Sequence, residues 1–141
     1  MSPAAGYSGT PLPKKLGIKE GSRVALLGAP PGFEHTLGDL PAGATARRGA
    51  RGAADLTLWF VRSRAALRAG MARHASRAAG SGLWICWAKK SSPLQGDVGE
   101  REVRETALAA GIVDFKICAV DADWSGLRFA ARKSAPGRTQ R

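Results

Sequence analysis

Lys89 and Lys90 stand directly after six apolar residues, Leu83-Trp84-Ile85-Cys86-Trp87-Ala88, and are followed by Ser91 and Ser92. Two ammonium groups at the end of a buried segment can contact a phosphate or carboxylate; they can equally serve as a solubilising strand end. Further along, Asp121-Ala122-Asp123-Trp124-Ser125-Gly126 sets two carboxylates beside an aromatic plane. Asp121 and Asp123 could form an acid/base pair, although aspartates that open a turn commonly bond their own backbone. Gly28-Ala29-Pro30-Pro31-Gly32-Phe33 is a Gly- and Pro-containing loop at the end of a short apolar run, and Arg62-Ser63 follows another. The candidate ligand-binding residues are therefore Gly28, Ala29, Gly32, Phe33, Arg62, Ser63, Lys89, Lys90, Asp123, Trp124 and Ser125. Trp124 has two readings, a cap on the core or a wall of the cleft.

Other chemistry is thin. Cys86 lies mid-strand, badly placed as a nucleophile, and neither His35 nor His74 has a sequence-level reason to reach it. Cys86 and Cys118 both fall inside expected strands and no CxxC spacing occurs, which favours buried reduced thiols over a disulfide or a metal site. GxGxxG and GxxxxGK[ST] are absent, so neither a dinucleotide fingerprint nor a P-loop is present. No catalytic residue is assigned.

The elements that must position these groups follow from the apolar pattern. Leu83–Ala88 shows no alternation, and only a strand covered on both faces hides every side chain. Arg23–Leu27 and Leu56–Val61 predict two further strands, and Ala44–Arg48 a weaker one. Phe33, Leu37 and Leu40 form the stripe of a short helix that Pro41 stops. Ser63 caps a helix over Arg64–Ala79 with Leu67, Met71, His74 and Ala78 on its buried stripe, His74 being a satisfied, partly buried imidazole. Asp97 and Glu100 resemble a capping box for a helix burying Val103, Ala107 and Ala110, with Glu100 and Arg104 paired on its wet side. Strands Asp114–Val120 and Leu127–Ala131 flank a turn over Asp121–Gly126.

This order predicts an α/β fold: a single Rossmann-like three-layer sandwich with a mostly parallel sheet ending in an antiparallel hairpin. Right-handed crossovers place the first, third and fourth strands side by side. Ligands of such sheets bind outside the carboxyl ends of the strands, so Gly28–Phe33, Arg62–Arg64, Lys89–Ser92 and the Asp121–Gly126 turn are expected on one edge, across one cleft. Residues 1–13 are expected as a flexible arm, 14–132 as the domain, and 133–141 as a basic disordered tail.

Charge is the strongest compositional signal. Twenty-two Lys and Arg oppose eleven Asp and Glu, a net +11 that attracts polyanions without choosing among them. Between Ala44 and Ala79, Arg47, Arg48, Arg51, Arg62, Arg64, Arg68, Arg73 and Arg77 face one acid, Asp55. They are either a solvated surface or a basic face for nucleic acid, which would then be held through phosphate, because neither a recognition helix nor a stacking platform is visible. No apolar run approaches the roughly 20 residues of a membrane span and no leader pattern opens the chain, so a cytoplasmic protein without membrane contact is expected.

Four blocks, YSGTPLPKKLGIKEGSRVALLGAPPGF, LWFVRSRAAL, GSGLWICWAKKSS and DADWSGLRFAARK, resemble a bacterial family catalogued as domain of unknown function 3052. That resemblance covers Tyr7 to about Lys133 and implies a compact bacterial protein, with no activity attached. More distantly, the element order and the GSGLWICW block are similar to Rossmann-like methyltransferases. Such a resemblance implies a glycine-rich loop after the first strand and an acid ending the second, to hold S-adenosylmethionine. Here Pro30 and Pro31 remove amide donors from that loop, and the second strand ends in Arg47-Arg48, so this cofactor is disfavoured.

The leading reading is a Rossmann-like module that binds a small anionic ligand or nucleotide at the carboxyl edge of the sheet. The alternatives are a divergent S-adenosylmethionine-dependent methyltransferase and a basic, nucleic-acid-associated protein. Oligomeric state stays open.

Overall fold

Strand β4 (Gly82–Ala88) is buried along its whole length, which explains its unbroken apolar sequence. In this computed structural model, which describes residues 9–132, β4 sits inside a six-stranded sheet. The other strands are β1 (Arg23–Leu27), β2 (Thr45–Arg48), β3 (Leu56–Phe60), β5 (Ile112–Ala119) and β6 (Trp124–Ala131). Their spatial order is β2-β1-β3-β4-β6-β5. The first four run parallel, with Leu58 opposite Trp84 and Leu26, so the expected first–third–fourth neighbourhood is observed. β6 pairs antiparallel with both β4 and β5, closing the sheet with the expected hairpin.

Alternation along the strands makes two cores. Leu26, Leu58, Phe60, Trp84 and Cys86 pack with α1 (Leu12–Leu16) and α2 (Phe33–Leu37) on one side. Trp59, Leu83, Ile85, Leu127 and Phe129 pack with α3 (Arg64–Ala75), α4 (Arg77–Gly80) and α5 (Glu100–Ala109) on the other. The molecule is thus a three-layer Rossmann-like α/β sandwich. Each fully buried Leu, Ile or Phe contributes about 1.5–3 kcal/mol relative to exposure, so the two cores dominate stability. The buried Trp84 indole donates to the Leu16 carbonyl at 2.9 Å, fastening α1 to the central strand.

Several element boundaries differ from expectation for local reasons. The arm expected over residues 1–13 gives way to α1 at Leu12, since Leu12 and Pro13 are buried and Gly17, at φ 87°, terminates the turn. The rest of the expected arm, residues 1–8, and the expected tail, 133–141, lie outside the described residues. Leu40 falls beyond α2 yet still packs against its core. The helix expected over Arg64–Ala79 divides at Ser76, whose hydroxyl donates back to the Arg73 carbonyl, but Leu67, Met71, His74 and Ala78 are all buried as their spacing requires. Ser63 caps α3, its Oγ accepting from the Ala66 amide at 3.0 Å.

The capping box of α5 is displaced from Asp97/Glu100. Gly99 is the cap, and Glu102 accepts from the Gly99 amide at 2.8 Å, while Asp97 accepts from the Arg64 amide at 2.9 Å. Ala110 is exposed past the end of the helix rather than on its buried stripe. In the hairpin, Asp121 Oδ1 accepts from both the Asp123 and Trp124 amides, tightening the turn so that β6 begins at Trp124 instead of Leu127. Trp124, Ser125 and Gly126 are therefore strand residues paired with Ala88, Trp87 and Cys86. Among the described residues no helix is long and apolar enough to cross a membrane.

His74 is a structural residue with a pH signature. Its ring lies 4.6 Å from Trp59 and its Nδ1 accepts from Arg77 Nε at 3.2 Å. Burial first, then the Arg77 and Arg73 charges, push its pKa below the ordinary histidine value. The unfolded chain then binds the extra proton more readily, so stability falls as pH drops through about 6.5. Denaturant midpoints at pH 7.5 and 5.5 should differ in the wild type by more than in His74→Leu.

Candidate functional site

The carboxyl ends of β1, β3 and β4 and the start of β6 meet at one edge, and the candidate residues gather there in two groups separated by the sheet. On the α1/α2 side are Gly28, Ala29, Gly32, Phe33, Arg62 and Trp124. This side is filled. Phe33, Phe60 and Trp124 form a chain of edge-on rings at 4.9 and 5.1 Å, and the Arg62 guanidinium lies 5.1 Å from the Trp124 centroid. Trp124 is only 2% exposed, so of its two readings it caps the core.

The backbone of the loop after β1 is occupied as well. Arg62 donates to the Gly28 carbonyl at 2.7 Å. From the end of β2, Arg48 donates to the Ala29 and Pro30 carbonyls, both at 2.8 Å, and forks onto Glu34 at 2.8 and 3.0 Å. Hydrogen bonding to Arg48 brings the Glu34 carboxyl down to about 2. In the sequence Arg48 stands where an acid would hold a cofactor and is one of the eight arginines of the basic segment. The structure makes it the clamp that closes the loop, a role that depends on contacts between β2 and a loop distant in sequence.

On the α3/α5 side the edge opens. A cleft of ≈950 Å³ lies between the end of β4, the 95–99 segment and the first turns of α5, with Trp87, Ala88, Lys89, Lys90 and Ser125 on its strand side. Gly96 lines this wall, and a Cβ there would collide with the Arg62 carbonyl. Four acids line the cleft, and each is engaged. Asp97 and Glu102 hold backbone amides of Arg64 and Gly99, Glu100 pairs with Arg104 at 2.8 Å, and Glu105 pairs with Arg101 at 3.2 Å. The hydrogen bond from Gly99, more than the nearby arginines, keeps the Glu102 carboxyl below its ordinary value. Lys89 and Lys90 form no ion pair among the described residues.

Two candidates are architectural. Asp123 accepts from Lys89 N through its carbonyl and from Ser92 Oγ through its carboxylate, both at 2.8 Å, and so staples the β4 end to the hairpin. Ser63 is occupied as the α3 cap. The cleft therefore joins Lys89, Lys90 and Ser125 but not the Gly28–Phe33 loop, which lies across the sheet. Arg101 and Arg104, absent from the sequence candidates, also line the wall. Their i,i+4 spacing to Glu105 and Glu100 accounts for their pairing but carries no sign of a cleft.

The two thiols are shielded. Cys86 and Cys118 are free and buried, and desolvation raises both thiols, Cys86 most strongly. Among the described residues no cluster of three metal-ligating side chains occurs. Much of the arginine-rich segment is consumed internally: Arg48 and Arg62 clamp the β1 loop, Arg47 holds the Arg51 carbonyl, Arg64 reaches Asp97 and Glu102, and Arg77 contacts His74.

No protein-family model and no curated protein matches the chain. Among solved structures it is similar to an S-adenosylmethionine-dependent methyltransferase from Aquifex aeolicus, with TM-score 0.54 and 17% identity over 82% of this chain and 85% of that one. The S-adenosylmethionine complex of LepI aligns at TM-score 0.48 and 12% identity, over 87% of this chain and 47% of that one. At this identity the first likeness establishes a Rossmann-like fold and nothing about activity. The residues present do not fit S-adenosylmethionine: the loop after the first strand has its carbonyls tied to Arg48 and Arg62, and a cation ends the second strand.

Proposed function

We propose that this chain is a Rossmann-like module that binds a small anion or nucleotide in the β4–α5 cleft, with Lys89 and Lys90 contacting its charged group. The observation that carries this reading is the charge accounting of the cleft: all four lining carboxylates are engaged, and among the described residues the two lysines form no ion pair. Ser125 adds a hydroxyl on the same wall. The four sequence blocks support placing the protein in the bacterial family numbered 3052. The methyltransferase reading draws support from the fold alone and is opposed by the closed β1 loop.

Thermal-shift titration with ATP, ADP, pyrophosphate and S-adenosylmethionine tests the reading. A ligand at a hundredfold its dissociation constant stabilises by about 2.7 kcal/mol. A phosphate-bearing compound should raise the wild-type melting temperature, and Lys89→Ala/Lys90→Ala should abolish that shift while barely moving the unliganded value, as unpaired surface charges contribute little to stability. An undiminished shift in the double variant refutes the lysine site. A shift with S-adenosylmethionine alone, persisting in the double variant, replaces this reading with the methyltransferase one.

A further inference from the structure

The β5–β6 hairpin packs α5 on one face; on its α1-side face Cys118, Trp124 and Gly126 are buried, while Phe115 and Lys116 are exposed. The register slips between Asp114 and Lys116, so that Asp114 opposes Phe129, Lys116 opposes Arg128, and Phe115 is the extra residue. A bulge of this kind re-aims side chains. Asp114 turns toward α5, where Arg104 donates to it at 3.2 Å. Phe115 and its neighbour Lys116 share the opposite face with Arg128, whose guanidinium lies 5.7 Å from the Phe115 centroid and donates to the Leu16 carbonyl of α1. Without the bulge, Lys116 would face the other way.

Phe115 is 59% exposed, a large aromatic ring with one side toward an arginine and the other available. Lys15 of α1 reaches this hairpin, its Nζ donating to the Ala119 carbonyl at 3.4 Å. Among the described residues Lys15, Lys116 and Arg128 have no carboxylate partner. Residues 1–8 and 133–141 contain no Asp or Glu.

We propose that the α1-side face of the β5–β6 hairpin binds a single-stranded polynucleotide, with a base stacked on Phe115 and phosphates held by Lys116, Lys15 and Arg128. An exposed ring set among cations is the combination that single strands require, since any base offers a π-face and the backbone follows the positive charge. A duplex keeps its bases stacked on one another and offers the ring nothing equivalent. A second copy of the chain is disfavoured, because apposing two such faces would bring together Lys15, Lys116 and Arg128, none of which has a carboxylate partner among the described residues. The site shares no residue with the β4–α5 cleft and does not depend on it.

Fluorescence anisotropy of a short labelled oligothymidylate at low salt tests this assignment, with a melting curve for every variant. The wild type should bind, Phe115→Ala should weaken binding at least about tenfold, and Phe115→Trp should restore it to within about threefold. Phe115→Trp also retains an aromatic should the alanine variant fold poorly. Lys116→Ala should reduce the slope of log affinity against log salt by about 0.7, as loss of one phosphate contact to a single strand does. Arg73→Ala, which removes the same charge from α3 across the sheet, should leave Phe115-dependent binding in place. Absence of wild-type binding at low salt, equal affinity for a duplex of the same length, or full binding by folded Phe115→Ala would each overturn the proposal. Phe115-dependent dimerisation without oligonucleotide binding would overturn it in favour of a second copy.

Discussion

Ile85→Asp is expected to abolish cooperative folding. Ile85 has no exposed surface and lies between Trp59 of β3 and Leu127 of β6, within a cluster built entirely of apolar side chains. An ionised carboxylate there has no partner, and the effective penalty for such a group is several kcal/mol even after relaxation. Loss of the isoleucine packing adds about 2–5 kcal/mol. The sum reaches the roughly 5–15 kcal/mol that a domain of this size has in total. Near-ultraviolet circular dichroism and urea unfolding read the outcome, with Ile85→Val as the control, expected to cost about 0.5–1.5 kcal/mol. A soluble Ile85→Asp protein with a sharp urea transition would mean that β4 does not occupy the centre of the sheet.

Trp124→Ala is the next largest effect, a loss of about 3–5 kcal/mol of stability with ligand affinity in the β4–α5 cleft retained in the fraction that folds. The indole supports Phe60 edge-on, Phe60 supports Phe33, and the Arg62 guanidinium covers the ring. Removing it opens a cavity beneath a charged group, so the cost exceeds simple transfer of the side chain. Trp124→Phe preserves an aromatic at this position and should lose less. Urea midpoints and a binding isotherm on the same samples separate the roles. Unchanged stability with lost binding would make Trp124 a wall of a ligand site and return the candidate cleft to the α1/α2 side of the sheet.

The strands and the β1–β3–β4 neighbourhood were legible because they rest on local patterns that tertiary context could only reinforce. Six consecutive apolar residues at Leu83–Ala88 admit one comfortable environment, and the parallel neighbours follow from short crossovers carrying helices. The stripe Leu67, Met71, His74 and Ala78 identified the buried side of α3 and α4 even though Ser76 breaks the helix, since side-chain periodicity outlasts a local hydrogen-bond change. Boundaries that depend on a single competing acceptor were not legible. Glu102 outcompeted Glu100 for the α5 cap, and Asp121 drew β6 back to Trp124, through contacts that spacing alone ranks equally.

What the sequence determined by itself is the Rossmann-like sandwich and the convergence of four segments on one edge of its sheet, because strand direction and chain order fix which ends lie together. What only the tertiary structure decided is which side of that edge is open. Strand alternation sends Phe60, Arg62 and Trp124 to one side and Trp87 to the other, and three aromatic rings with two arginines then fill the first side while α5 stands away from the second. The bulge at Phe115 has the same origin. Whether a side chain faces a core or solvent depends on a one-residue register step, and that step is set by partners far apart in the chain rather than by neighbours within it.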